Sequence, residues 1–193
     1  MKYIDPPNKL LKHVDRIASI QEGYPTVPVN VEIDLTNRCN LGCVVCHMAY
    51  THTRGYHAGK RTVETGDVMA KETILRILGE MKAAGVRSVT WTGGGEPTMH
   101  PDFGEIITKC PLPQGIYTNG TRITPELAQQ IKLYAAWAYV SLDRPDRESY
   151  KAYKQTDNFE QAVEGIRNLV NASGSATIGI GFLLSRNCWG DGW

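Results

Sequence analysis

Residues 39–47 read CNLGCVVCH, three cysteines at C-x3-C-x2-C spacing with a histidine directly after them. Thiolates are soft ligands that hold zinc or iron–sulfur clusters. Three of them in one short stretch are badly placed for a packed core, which would disperse them. The preceding run, residues 29–35 (VNVEIDL), alternates apolar and polar side chains as a half-buried strand does, so the thiols follow a strand end. A zinc site needs a fourth ligand. His47 adjoins Cys46, and neighbouring side chains point apart, which leaves His52 or His57 to complete a Cys3His set. An iron–sulfur cluster usually takes four thiolates, so three leave one iron open, and an open coordination position marks a catalytic metal. Spacing alone leaves both metals open.

The remaining chain narrows the setting. Its 193 residues fit one domain with a sizeable core, and the composition is ordinary: 41% hydrophobic, 21% charged, 21 basic against 20 acidic residues for a net charge of +1. Such a balance carries no electrostatic footprint for nucleic acid or an anionic membrane. No apolar run approaches the roughly 20 residues a bilayer span needs, and the first residues, MKYIDPPNKLLKHVDR, lack a signal-peptide core. A cytoplasmic location is therefore expected, where clustered cysteines serve metals or catalysis in preference to disulfides. Cys110 and Cys188 have no motif around them and read as incidental.

To position the thiols, the chain offers alternating strands and helices. Residues 8–20 predict a helix, residues 29–35 the first strand, and Ile74, Ile77, Leu78 and Met81 a helix stopped by Gly85. Strand two covers residues 86–91, a short helix follows Pro101, and strand three covers 115–117. Thr124 ahead of Pro125 marks a helix start. Strand four is expected at 138–142. A further helix carries Phe159, Ala162, Val163, Ile166 and Val170 on one face, and strand five spans 176–184. This order predicts a parallel α/β sheet, open or closed towards a barrel, with residues 1–28 as an N-terminal helical extension and 29–193 as the core domain.

The cysteines, GGGEP (93–97), TNGT (118–121) and SLDRPD (141–146) each follow a strand, hence share the C-terminal edge of the sheet, where ligands bind in parallel α/β architectures. Gly93, Gly94 and Gly95 allow close approach to the backbone, Glu96 offers a carboxylate to an ammonium group, and Pro97 fixes the turn. A lone glycine triplet reads as a plain turn. Beside three cysteines on one edge, it points to a pocket for an amino-acid-like ligand.

With CNLGCVVC and GGGEP in this order, the chain resembles the radical S-adenosylmethionine (radical SAM) enzymes. TNGT and SLDRPDRESY are similar to segments of the branch containing the molybdenum-cofactor cyclase and the peptide maturases. The likeness runs over residues 31–184. It implies a partial (β/α) barrel of the radical SAM type. It also implies that Cys39, Cys43 and Cys46 hold a [4Fe–4S] cluster and serve as its catalytic metal ligands. The open iron would be chelated by the methionine end of S-adenosylmethionine. Gly94, Gly95 and Glu96 would receive its amino group, Val45 would pack on adenine, Ser141 would meet methionine or ribose, and Asn119 and Asp143 would add further cofactor contacts. IGIGF (178–182) resembles the glycine strand that touches adenine, and reads equally as a tightly packed buried strand. The implied reaction is reductive cleavage to a 5′-deoxyadenosyl radical that abstracts hydrogen from a small-molecule or peptide substrate, classing the protein as an oxidoreductase, transferase or lyase. The implied electron donor is a flavodoxin or ferredoxin.

Two stretches depart from that pattern. Residues 48–67 form a long loop with His52, Arg54, His57, Lys60 and Arg61, which reads as an anion-binding lid or as a solvated basic loop. Relatives have six strand–helix units and this chain has five, so the core is expected to be C-terminally incomplete or completed by a partner, with association at the strand-five edge. A zinc- or cluster-stabilised binding module and a truncated member without turnover are the competing functions.

Overall fold

The computed structural model describes residues 10–46 and 67–184. A 3-10 turn, Leu10–His13, runs into helix α1, Val14–Gln21, which buries none of its own residues. Side-chain bonds hold it to the body: Arg16 Nη2 donates to the Gly85 carbonyl at 2.9 Å, and Asp15 pairs with Arg87. Strand β1 (Asn30–Asp34) leads to helix α2 (Lys71–Ala84) and strand β2 (Ser88–Thr92). Helix α3 (Phe103–Lys109), strand β3 (Gln114–Thr118), helix α4 (Pro125–Tyr134) and strand β4 (Trp137–Ser141) follow. Helices α5 (Arg147–Lys154) and α6 (Phe159–Asn171) precede strand β5 (Thr177–Gly181).

All five strands are parallel, and their order in space is their order in the chain, β1-β2-β3-β4-β5. That order decides between the two expected architectures. Right-handed crossovers between successive neighbours place every connecting helix on the same side, as in the wall of a (β/α) barrel, whereas a doubly wound sheet reverses direction and covers both faces. Accordingly Val89, Trp91, Ile116, Ala138 and Val140 form one core with Ile74 and Leu78 of α2, Ile106 and Ile107 of α3, Ala128 and Ile131 of α4, and Leu169 of α6. The opposite face alternates to Glu32, Thr90, Tyr117 and Tyr139. There Gly115 and Gly181 make room for aromatic rings, since a Cβ on Gly115 would lie 2.1 Å from Trp137 and one on Gly181 2.3 Å from Tyr139.

Local signals account for the element ends. Gly85 terminates α2 in the left-handed region at φ 92°, and Thr124 caps α4 by accepting from the Leu127 amide at 3.2 Å. Gln114, a buried amide side chain in the core, is fully bonded: it accepts from the Trp91 indole at 2.6 Å and donates to the carbonyls of Ile107 and Tyr134 at 2.7 and 3.0 Å.

Two expectations need correction, and one helix was not expected. Strand five stops at Gly181, because β4 ends at Ser141 and offers no further partner. On α6 the buried positions are Ala162, Gly165 and Leu169, while Val170 is exposed. Helix α5 lies in a segment to which the sequence pattern assigns no element. Its sequence, RESYKAYK, has little apolar periodicity, and it forms because Asp146 caps it and Tyr150 and Tyr153 are buried. The 48–66 part of the long loop, with its histidines and cations, lies outside the described residues, as do His47 and Cys188.

Candidate functional site

Beyond β1 the backbone turns through Thr36, whose hydroxyl donates to the Asp67 carbonyl at 2.7 Å and accepts from the Arg38 amide at 3.0 Å. The cysteine loop that follows is held from two sides. On one side the Glu96 amide donates to the Arg38 carbonyl at 2.7 Å, and Gly95 packs so closely that a Cβ there would lie 2.1 Å from that oxygen. On the other, the last carbonyls of α5 accept from the loop: Lys154 from the Gly42 amide at 2.9 Å and Tyr153 from the Val44 amide at 3.0 Å. A turn closed by the Cys46 amide on the Cys43 carbonyl completes it. The glycines of GGGEP thus serve the loop as well as any ligand.

Cys39, Cys43 and Cys46 are all partly buried and none is in a disulfide. Burial pushes the Cys43 thiol up, with the Lys154 ammonium pulling the other way. Among the described residues no three His, Cys, Asp or Glu side chains converge on one point as ligands of a single ion. A cluster that takes each thiolate on a separate iron asks for no such convergence, so a soft, all-sulfur donor set on one loop fits an iron–sulfur group.

Glu96 is the junction of the site. Its carboxylate is 3% exposed, yet four donors converge on it. Oε1 accepts from the Thr98 amide and hydroxyl at 3.2 and 2.7 Å and from the Thr118 hydroxyl at 2.6 Å. Oε2 accepts, among the described residues, from the Asn119 amide alone, at 2.7 Å. Burial raises its pKa above the ordinary carboxylate value, against the pull of those donors. Gly94 donates its amide to Asp34 Oδ2 at 2.9 Å, tying GGGEP to the end of β1.

The remaining expected residues occupy the same edge with different duties. Asn119 is buried, and its side chain joins the TNGT turn to the cysteine loop: Nδ2 donates to Asn40 Oδ1 at 2.9 Å, while Oδ1 accepts from the Thr121 amide and hydroxyl at 3.0 and 2.8 Å. Asp143 adopts φ 63°, a left-handed conformation that non-glycine residues rarely take outside functional or tightly held sites. It is held there by the buried Lys154 ammonium on Oδ2 and by the Leu183 amide on Oδ1 at 2.9 Å. Ser141 ends β4, and Val45, at the tip of the cysteine turn, is 54% exposed. Sequence reading missed Asn40, Thr98, Thr118, Tyr150 and Lys154. Only their neighbourhood to the quoted motifs could have signalled them: Asn40 and Thr118 act through partners distant in the chain, and Thr98, two residues from Glu96, has no motif of its own.

The comparisons agree with this geometry. The chain is 34% identical over 166 residues to mycofactocin maturase MftC of Mycobacterium tuberculosis, covering 82% of this chain and 38% of that protein. It is 34% identical over 141 residues to a probable GTP 3′,8-cyclase of Pyrococcus abyssi, covering 71% of this chain and 42% of that one. Among solved structures, Streptococcus suis SuiB bound to the precursor peptide SuiA matches with a TM-score of 0.64 at 17% identity, over 96% of this chain and 41% of that chain, a likeness of fold. The chain therefore spans about two fifths of the length of these proteins. The family model described as Radical SAM superfamily matches residues 33–187. Since that match begins within β1 and runs past the end of β5, the chain belongs to the radical SAM superfamily.

Proposed function

We propose that this chain is the core of a radical SAM enzyme, with residues 29–193 as the core domain and 1–28 as an extension. Cys39, Cys43 and Cys46 would hold a [4Fe–4S] cluster. The observation that carries this is the construction of the cysteine loop and the GGGEP turn as one unit, through the Arg38–Glu96 backbone bond and the close approach of Gly95. The chemistry supplied by the bound cluster and S-adenosylmethionine is one-electron cleavage of the sulfonium into methionine and a 5′-deoxyadenosyl radical that takes hydrogen from a substrate.

The chain's own residues do the positioning. Gly94, Gly95 and Glu96 receive the methionine ammonium, for which Glu96 Oε2 has acceptor capacity left beside its bond to Asn119. Val45, exposed at the loop tip, meets the adenine, and Ser141 meets methionine or ribose at the end of β4. Asn119 and Asp143 shape the pocket walls, one by joining the TNGT turn to the cysteine loop and the other by fixing the backbone after β4. The substrate is a small molecule or a peptide. An electron carrier such as flavodoxin or ferredoxin supplies the reductant.

Anaerobic reconstitution tests this. The expected product is a brown protein with the iron and sulfide of one [4Fe–4S] cluster, which on reduction converts S-adenosylmethionine to 5′-deoxyadenosine and methionine. Alanine at Cys39, Cys43 or Cys46 abolishes the cluster, and Cys110→Ala leaves it intact. A colourless protein with tightly bound zinc and no iron uptake would instead establish the binding-module reading.

A further inference from the structure

Tyr150 is fully buried, yet its hydroxyl has no hydrogen-bond partner among the described residues. Buried hydroxyls nearly always find one, so the orphan marks a group whose partner arrives with something else. The ring itself is fixed. It packs with Leu142 and Ala162 and meets Phe159 edge to face at 5.6 Å. Tyr150 lies one turn before the carbonyls of α5 that accept from Gly42 and Val44, so the helix carries it against the cysteine loop.

The charges around the hydroxyl define its role. Burial first, then Cys43, Asp143, Cys39 and Glu96, push its ionisation well above the ordinary tyrosine value. A phenol hydroxyl can donate one hydrogen bond, and these four residues are the candidates to receive it. Two of these are already held: Asp143 by Lys154 and the Leu183 amide, Glu96 by Thr98, Thr118 and Asn119. Of the cluster-binding loop, Cys43 weighs most on the hydroxyl after burial.

Building on the cluster-binding role proposed above, we infer that Tyr150 donates its hydroxyl hydrogen bond to a cysteine sulfur of this loop, Cys43 first, once the cluster is bound. A donor to a ligating sulfur stabilises the more negative, reduced state and raises the reduction potential. Tyr150 thereby sets how readily the cluster accepts its electron.

The test is Tyr150→Phe, which keeps the ring and removes one oxygen. The metal-free variant melts no lower than the parent, because that oxygen has no partner there. The reconstituted variant keeps its iron and absorbance, but its reduction potential, followed by electron paramagnetic resonance without S-adenosylmethionine, moves to a more negative value. An unchanged potential overturns the inference, and an unchanged potential with weakened S-adenosylmethionine binding reassigns the hydroxyl to the cofactor. Should the variant fail to load, resonance Raman spectra of the parent protein in H2O and D2O decide: iron–cysteine stretches that shift on exchange support the bond, and insensitive ones overturn it. A parent chain that takes up no cluster defeats the proposed function as well, whereas a loaded chain with an insensitive potential defeats this inference alone.

Discussion

Glu96 looks in the sequence like a ligand to an ammonium group, and in the fold it is first an acceptor for the chain itself. Four donors from β3, the TNGT turn and the segment after GGGEP lose their partner when it goes. Unsatisfied buried donors cost about 1–3 kcal/mol each before relaxation, so Glu96→Ala is expected to destabilise the metal-free protein by on the order of 3 kcal/mol in urea unfolding. A residue reserved for the cofactor would leave that stability unchanged. Glu105 shows the opposite electrostatic sign at the surface. Hydrogen bonds from Lys109 and Lys71 pull its carboxyl from the ordinary 4.5 to about 2. A pKa lowered by folding gives stability that is present above about 4.5 and fades as pH falls towards about 2. The stability difference between parent and Glu105→Gln is therefore expected to shrink across that window, as urea titrations from pH 6 to pH 2 would register. The residues of the site were legible by type and spacing where chemistry needs them close in sequence, as with the three cysteines and GGGE. Thr118 and Asn40 were not, because a hydroxyl or amide that bonds across the sheet leaves no local signature.

At the level of elements, glycines decide how near the loops can come. A Cβ on Gly95 would meet the Arg38 carbonyl at 2.1 Å, the Arg38 amide at 2.7 Å and the Asn37 carbonyl carbon at 2.7 Å, all of them backbone. Gly95→Ala must therefore push the cysteine loop away from GGGEP, and we expect it to lower iron retention after reconstitution. Gly93→Ala, whose nearest contact is 3.1 Å, does so less. Gly165 on α6 faces the TNGT turn, with the Gly120 carbonyl 2.0 Å from a Cβ built there. Overpacking of this kind costs about 1–3 kcal/mol, so Gly165→Ala should lower the unfolding midpoint although it lies on a helix, where alanine is ordinarily favoured. The caps and most strands were readable because Thr-Pro, a terminal glycine and alternation act locally. Helix α5 was hidden because its burial comes from Tyr150 and Tyr153 reaching neighbours, and strand five was read too long because apolar residues continue past the last available partner.

For the molecule as a whole, the outer side of β5 has no partner among the described residues, and Ile180, Phe182, Leu183 and Leu184 beside it are exposed. An apolar strand edge templates pairing with another chain. We expect light scattering to show concentration-dependent association of this chain, and Ile180→Lys to reduce it. A monomer at all concentrations would mean the edge is protected. No helix among the described residues is long and apolar enough to cross a membrane. The strand order has a consequence in time as well as in space. Each strand pairs with the one made just before it, so the sheet can grow unit by unit as the ribosome releases it. Every parallel pairing still has to close a crossover, from Gly115 to Trp137 at the shortest and from Asn30 to Ser88 at the longest, which slows folding. During synthesis the sticky edge is always the newest strand, and the next one covers it.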